Sequence, residues 1–214
     1  MKVVFITGST GYIGRRLIKA LLVKGVPVIA LVRNGSDNKV PVGCKVVIGD
    51  PFDAKTFEQH IPKNAIFVQL LGVPHPSPSK ARQFKQIDLR SVRTSADAAA
   101  NAGVSHFIYV SVSMVPSKIM EAYQHVRKEG EEYCLTKDLN CTFVRPWYVL
   151  GPGHWWPVLL LPFYGLAYLV PSWKQKAKGM RLVTISQMIN TLVKAVEAVP
   201  GKKRIIDISE IKQN

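Results

Sequence analysis

Acidic residues are scarce in this chain: 14 Asp and Glu stand against 29 Lys and Arg, for a formal charge of +15. Between Leu139 and Val196 there is no acid at all, while Arg145, Lys174, Lys176, Lys178, Arg181 and Lys194 fall in that stretch. A surplus of this kind draws nucleic acid, anionic membranes or acidic substrates, and charge alone does not choose among them. A solvated basic surface is the plainest account. Cysteine is also scarce. Cys44, Cys134 and Cys141 form no CxxC pair and cannot all pair with one another, which points to reduced thiols in a cytoplasmic protein. No clustered ligand set suggests a metal site. The opening Met1-Lys2 runs straight into Val3-Val4-Phe5-Ile6, too short an apolar run for a secretory leader. Repeats, low-complexity tracts and linkers are absent, so a single domain over 1–214 is expected, with a core over 1–150 and a cap with closing elements over 151–214.

Short β-branched runs alternate with longer helical patterns, the mark of an α/β fold with a doubly wound parallel sheet, here followed by a small, mostly helical C-terminal cap. The runs at 3–6, 28–32, 45–48, 65–71, 106–110 and 141–144 predict strands, and 205–208 a last short one. Helices are expected over 11–24, 79–102, 117–136 and 185–198, with Gly25 and Gly103 ending the first two. The loop 72–78, Gly-Val-Pro-His-Pro-Ser-Pro, has prolines at alternate positions and excludes regular structure.

Thr7-Gly8-Ser9-Thr10-Gly11-Tyr12-Ile13-Gly14 lies between the first strand and the first helix. Gly8 suits a tight turn, Gly11 a close approach of backbone to a pyrophosphate, and Gly14 close packing of helix on strand. The free amides opening the helix would face the anion. With these residues the chain resembles the short-chain dehydrogenase/reductase superfamily, in its extended and atypical branches, and ITGSTGYIGRRL looks most like the NmrA-like and isoflavone-reductase-like group. The resemblance covers about residues 1–150. It implies a Rossmann fold, with Asp50 near adenine, Leu71-Gly72 running past the adenine ribose, and Arg145-Pro146 ending a strand beside the nicotinamide; by position alone, Trp147 and Tyr148 are expected to wall that side.

Cofactor choice is read at the end of the second strand. An acid there would accept from the ribose 2′-hydroxyl of NAD; this chain has Arg33, which can pair with the 2′-phosphate of NADP, and Arg15 adds a second charge. NADP is therefore expected over NAD.

The same resemblance places a Tyr and a Lys four residues apart on the helix before the sixth strand. Here the pair is Tyr123 and Arg127, on one helix face. Arginine keeps the positive charge but cannot give up a proton, and its planar fork differs from an ammonium. Val112 stands where the family has its serine or threonine, with Ser111 and Ser113 beside it on a shared strand face. His75, in the proline-rich loop, and His154, after Gly151-Pro152-Gly153, are further candidates for the pocket.

Three functions fit. The first is an NADP-dependent oxidoreductase, or an epimerase or dehydratase, with Tyr123 transferring a proton; the second is a cofactor-binding sensor without turnover; the third is an accessory subunit at a membrane complex. Nucleic acid is not an expected partner. Trp155 to Pro171 carries no charge, but its 17 residues and its prolines at 157, 162 and 171 argue against a transmembrane span. It is expected to close an apolar pocket over the cofactor, implying a small apolar substrate. The basic run that follows leaves peripheral contact with an anionic membrane as the alternative.

Overall fold

A computed structural model describes residues 2–155 and 181–214. Seven parallel strands form one sheet in the order β3-β2-β1-β4-β5-β6-β9: β1 Val4–Thr7, β2 Val28–Val32, β3 Lys45–Ile48, β4 Ile66–Gln69, β5 His106–Val110, β6 Cys141–Val144 and β9 Lys203–Ile206. Helix α1 (Tyr12–Val23) follows β1. The next helical stretch is α2 (Ala81–Gln83), a π-helical turn over Phe84–Leu89, and α3 (Arg90–Asn101); α4 (Glu121–Leu135) follows β5. Two short paired strands, β7 (Val149–Leu150) and β8 (Val183–Thr184), lead into α5 (Ile185–Glu197), and α6 (Ile208–Gln213) ends the fold. The doubly wound parallel sheet expected from the sequence is therefore present, and its strand order reverses between β1 and β4.

Register follows from the side chains. Phe5 pairs with Phe67 and Phe67 with Phe107, so three buried rings stand in a row on one face, with centroids 5.2 and 5.3 Å apart. This face packs under α3 and α4, with Val92, Ala96, Ala99 and Val126 closing the layer. The alternate residues Val4, Ile6, Ile66, Val68 and Ile108 build the opposite layer with Leu17 and Ile18 of α1 and Met188 and Leu192 of α5. The period-two alternation thus feeds two separate cores.

Three boundaries differ from expectation. The last strand lies at Lys203–Ile206, in register with β6, because Asp207 caps a helix by accepting from the amides of Ser209 and Glu210. α4 starts at Glu121, after a turn in which the Met120 amide donates to Ser117. The helix expected over 79–102 contains the π-helical turn, which β-branched and alanine periodicity does not announce. Within the expected cap, residues 181–214 close the Rossmann unit itself: β9 extends the sheet and α5 packs on α1. The expected pocket lid falls almost wholly on 156–180, and those residues, with Lys174, Lys176 and Lys178, lie outside the described residues. Among the described residues no helix is long and apolar enough to cross a membrane.

At the amino edge of the sheet, the buried His106 ring contacts the Thr142 hydroxyl at 2.8 Å while its Nδ1 has no partner. Burial, then Lys2 and Arg204, push its pKa down to about 4. The unfolded chain, titrating near 6.5, binds the proton first, so stability is complete above pH 6.5 and is lost as pH falls towards 4. Between pH 7.5 and 5 this group is expected to remove about 2 kcal/mol. Urea melts of the wild type and His106→Gln across that range check this; equal pH slopes would exclude the assignment.

Candidate functional site

The crevice lies at the carboxyl edge of the sheet, over the reversal between β1 and β4, where open α/β sheets bind ligands. It is built first by backbone. Gly8 turns the chain at φ +68, and a Cβ there would meet the Leu71 amide nitrogen at 2.7 Å. A Cβ on Gly14 would run into the carbonyl oxygen of Gly8 and come within 2.8 Å of that of Ser9. The glycines therefore seat the start of α1 directly on the end of β1. Gly11, the N-cap of α1, offers no side chain to the first-turn amides, and the Gly11 amide donates to the Gly8 carbonyl at 3.0 Å. The uncapped amides and the helix dipole favour an anion at this point.

Two cavities meet there. The first, about 330 Å³, is lined by Gly8, Ser9, Thr10, Gly11, Arg33, Phe52, Leu71 and Gly72 among others, and suits an adenosine with its phosphates. Ser9 is buried, its hydroxyl donating to the Leu31 carbonyl, so it fixes the turn to β2. Arg33 is exposed at the rim. Asp50 is exposed beside this cavity, and its carboxylate accepts from the Phe52 amide at 2.9 Å; Pro51 and Phe52, rather than Asp50, line the wall.

The second cavity, about 380 Å³, shares Gly8, Gly11, Leu70 and Gly72 with the first, so the two form one groove. Tyr12, Ile13, Gly14, Ser111, Val112, Tyr123, Arg127, Pro146 and Tyr148 line it, with His75 and His154. Of the expected catalytic residues, Ser111 faces this space with a buried hydroxyl that has no partner. Ser113 is buried but does not line it; its carbonyl accepts from Gln124 at 2.6 Å. Tyr123 packs on Phe84 at 4.9 Å between centroids, and burial raises its pKa, with Arg127 opposing and Asp88 reinforcing that rise.

Arg127 is engaged in a way the sequence did not disclose. Its guanidinium donates from Nη2 to Asp88 Oδ1 at 2.5 Å and from Nη1 to the Val110 carbonyl at 3.0 Å and the Tyr109 hydroxyl at 3.2 Å. Asp88, fully buried on the π-helical turn, also accepts from the Val73 amide at 3.2 Å. Burial pushes the Asp88 carboxyl up, while Arg127 and the Val73 amide hold it down. Gly72 has no room for a side chain because Arg127 Nη2 and Asp88 Oδ1 occupy the space. The pair thus ties α4 and the end of β5 to the loop after β4, under the floor of the groove. The Tyr123 ring lies over the guanidinium carbon, 4.9 Å from centroid to atom. A π-helical turn inserts one extra residue per turn; such turns concentrate at functional sites.

The residues present fit a dinucleotide: a glycine turn that a Cβ would fill, uncapped amides at a helix start, a cation at the adenosine rim and an unpartnered hydroxyl at the far end. Among the described residues no group of three or more His, Cys, Asp or Glu gathers as a metal site would.

Comparison with known proteins agrees with this geometry. The family described as NAD(P)H-binding matches residues 8–151. A ceramide reductase of Caulobacter vibrioides is 30% identical over 156 residues, which make up 71% of this chain and 47% of that protein. The chloroplastic divinyl chlorophyllide a 8-vinyl-reductase of Oryza sativa subsp. indica is 29% identical over 139 residues, covering 60% of this chain and 34% of that protein. The chain thus spans half or less of the length of these two relatives. In structure it is similar to the Bordetella bronchiseptica enzyme WbmH, solved in complex with NAD+, with a TM-score of 0.71 at 18% identity, covering 97% of this chain and 76% of that one.

Proposed function

The chain belongs to the NAD(P)H-binding family, a Rossmann group of the short-chain dehydrogenase/reductase superfamily, and from that premise we propose that it is an NADP-dependent oxidoreductase acting on a small, uncharged, apolar substrate. The observation that carries the reading is the continuous groove from Arg33, past the glycine turn, to Ser111 and Tyr123. When bound, the cofactor supplies hydride exchange. Gly8, Gly11 and the first amides of α1 would hold its pyrophosphate, and Thr10, Leu71 and Gly72 would border the adenosine. Pro146 and Tyr148 would wall the nicotinamide. Ser111 and Tyr123 would hold the substrate oxygen by hydrogen bonds.

The apolar substrate class is supported by the lining of the second cavity. Val73, Pro74, Val112, Met120, Trp147 and Val149 dominate it, no Asp or Glu is among the described lining residues, and its one permanent cation, Arg127, is taken by Asp88. A charged substrate would find no free charged partner among these described residues and would lose hydration. Two of the relatives are reductases by name, which favours the oxidoreductase reading.

Arg33 is the basis for NADP over NAD. Its guanidinium can pair with a 2′-phosphate in a bidentate way, and no acid stands at that strand end to accept from a 2′-hydroxyl. NADP+ is expected to bind at least roughly tenfold more tightly than NAD+, and Arg33→Asp should reverse the order. Titration calorimetry of both cofactors decides it: equal affinities in the wild type would remove the assignment.

A further inference from the structure

The nicotinamide end of the groove has two chemically different walls. Val73, Val112, Met120 and Tyr123 belong to the layer on the α3–α4 face of the sheet. Tyr12, Ile13 and Val149 belong to the layer on the α1–α5 face. His154 stands on this second wall: its ring lies 5.0 Å from that of Tyr12 and 4.6 Å from that of His75, the two imidazoles stacking at 13°. His75 reaches that place at φ +49, a left-handed conformation that a side chain rarely adopts. The Lys80 ammonium holds the bend by donating to the carbonyls of Pro74 (2.7 Å) and His75 (3.0 Å). Strain of this kind persists where the surrounding structure enforces it, and it is concentrated at functional sites.

The described lining residues with acid–base side chains are Tyr12, Tyr123, Tyr148, Arg127, His75 and His154, and of these side-chain types imidazole is the usual proton-transfer group of enzymes. Tyr123 is held protonated by burial, which suits it to donate a hydrogen bond and keep its proton. The imidazoles are coupled: burial first, then His75, lowers the pKa of His154, so a proton on one ring disfavours a proton on the other. Among the described residues, Lys80 bonds the His75 carbonyl and the Arg16 guanidinium lies 4.1 Å over the Tyr12 ring.

We propose that His154, backed by His75, is the proton-transfer residue of this groove, and that the substrate is an apolar α,β-unsaturated carbonyl compound whose oxygen is held from the opposite wall by Ser111 and Tyr123. The proposal rests on the oxidoreductase reading above. Oxygen support on one wall and a proton source on the other suit a reaction that needs them at different atoms. Reduction of a conjugated double bond has that requirement. The β-carbon takes the hydride supplied by the reduced cofactor, and the C=C electron pair shifts towards the oxygen held by Ser111 and Tyr123. The proton on the His154 ring nitrogen then passes to the α-carbon as the carbonyl re-forms. The double bond has become a single bond, and neutral His154 regains its proton from water through His75.

The test uses the full chain with ring-labelled histidine, its NMR signals assigned through His75→Gln and His154→Gln and followed during titration with NADP+. The signals of His75 and His154 are expected to move, those of His60, His106 and His125 to stay, and His75→Gln to raise the pKa of His154. With NADPH and trans-4-phenyl-3-buten-2-one the expected product is the saturated ketone. Its formation should speed up as pH falls from 8 to 6, and should drop by about 100-fold or more in His154→Gln. NADP+ that binds by calorimetry without moving these two signals would overturn the proposal, as would an allylic alcohol or no product. No binding of NADP+ at all would instead overturn the cofactor reading beneath it.

Discussion

Arg127→Met is expected to destabilise the chain by about 3–5 kcal/mol, the range for leaving one partner of a buried ion pair uncompensated. Asp88 would then lie fully buried without its cation, with the Val73 amide still donating to it. The Val110 carbonyl and the Tyr109 hydroxyl would lose a donor as well. For a chain of this length the shift corresponds to about 6–20 °C in melting temperature. Breaking the pair from both sides should behave differently. Asp88→Leu with Arg127→Met replaces two charges by apolar groups of similar size, and such replacements are commonly neutral or stabilising. The double variant is therefore expected to recover most of the loss, with a coupling of about 2 kcal/mol or more in the cycle. Urea denaturation of the four proteins reads it directly. A single Arg127→Met variant as stable as the wild type would show that the buried pair does not support the fold.

That pair also marks where the sequence stopped being legible. The i, i+4 spacing of Tyr123 and Arg127 put both on one face of α4, and in the structure both line the groove. It said nothing of Asp88, which lies 39 residues earlier in the chain, on the π-helical turn, and bonds Arg127. A lone acid in a helical pattern reads as a solvated face, and nothing local distinguishes this one. The interior polar chain beneath the groove was equally hidden. Thr7 donates to Gln69, and Gln69 donates to Ser91 at 3.1 Å, linking residues from three elements. By contrast, the central strands were readable because they are short, largely apolar runs, and the parallel sheet buries both of their faces. The glycine turn was readable because its constraint is local: what each glycine must avoid lies within a few residues or on the next strand. His75 and His154 could be named from their loops, but not their stacking, which depends on the fold bringing residues 75 and 154 together.

Gly14→Val is expected to abolish measurable cofactor binding. Its Cβ would collide with the carbonyl oxygen of Gly8 and crowd that of Ser9, both of them backbone atoms that cannot turn aside as a side chain would. The collision has to be relieved by moving the start of α1 away from the end of β1, and the amides that would face the pyrophosphate move with it. A displacement near 1 Å stretches hydrogen bonds beyond their useful range, so affinity for NADPH should fall by roughly 100-fold or more. Overpacking of this kind also costs about 1–3 kcal/mol of stability. Loss of binding must therefore be read on protein shown by circular dichroism to be folded at the assay temperature. Gly201→Ala serves as the reference, since a Cβ there meets nothing within 4 Å and φ lies outside the left-handed range; it should bind as the wild type does. Gly11→Ala falls between, with the Gly8 oxygen at 3.1 Å from the new carbon, a contact relieved by a few tenths of an ångström. The ordering Gly201→Ala, Gly11→Ala, Gly14→Val in weakening affinity follows from these contacts alone. A folded Gly14→Val protein that binds NADPH as tightly as the wild type would show that the pyrophosphate does not sit on this turn.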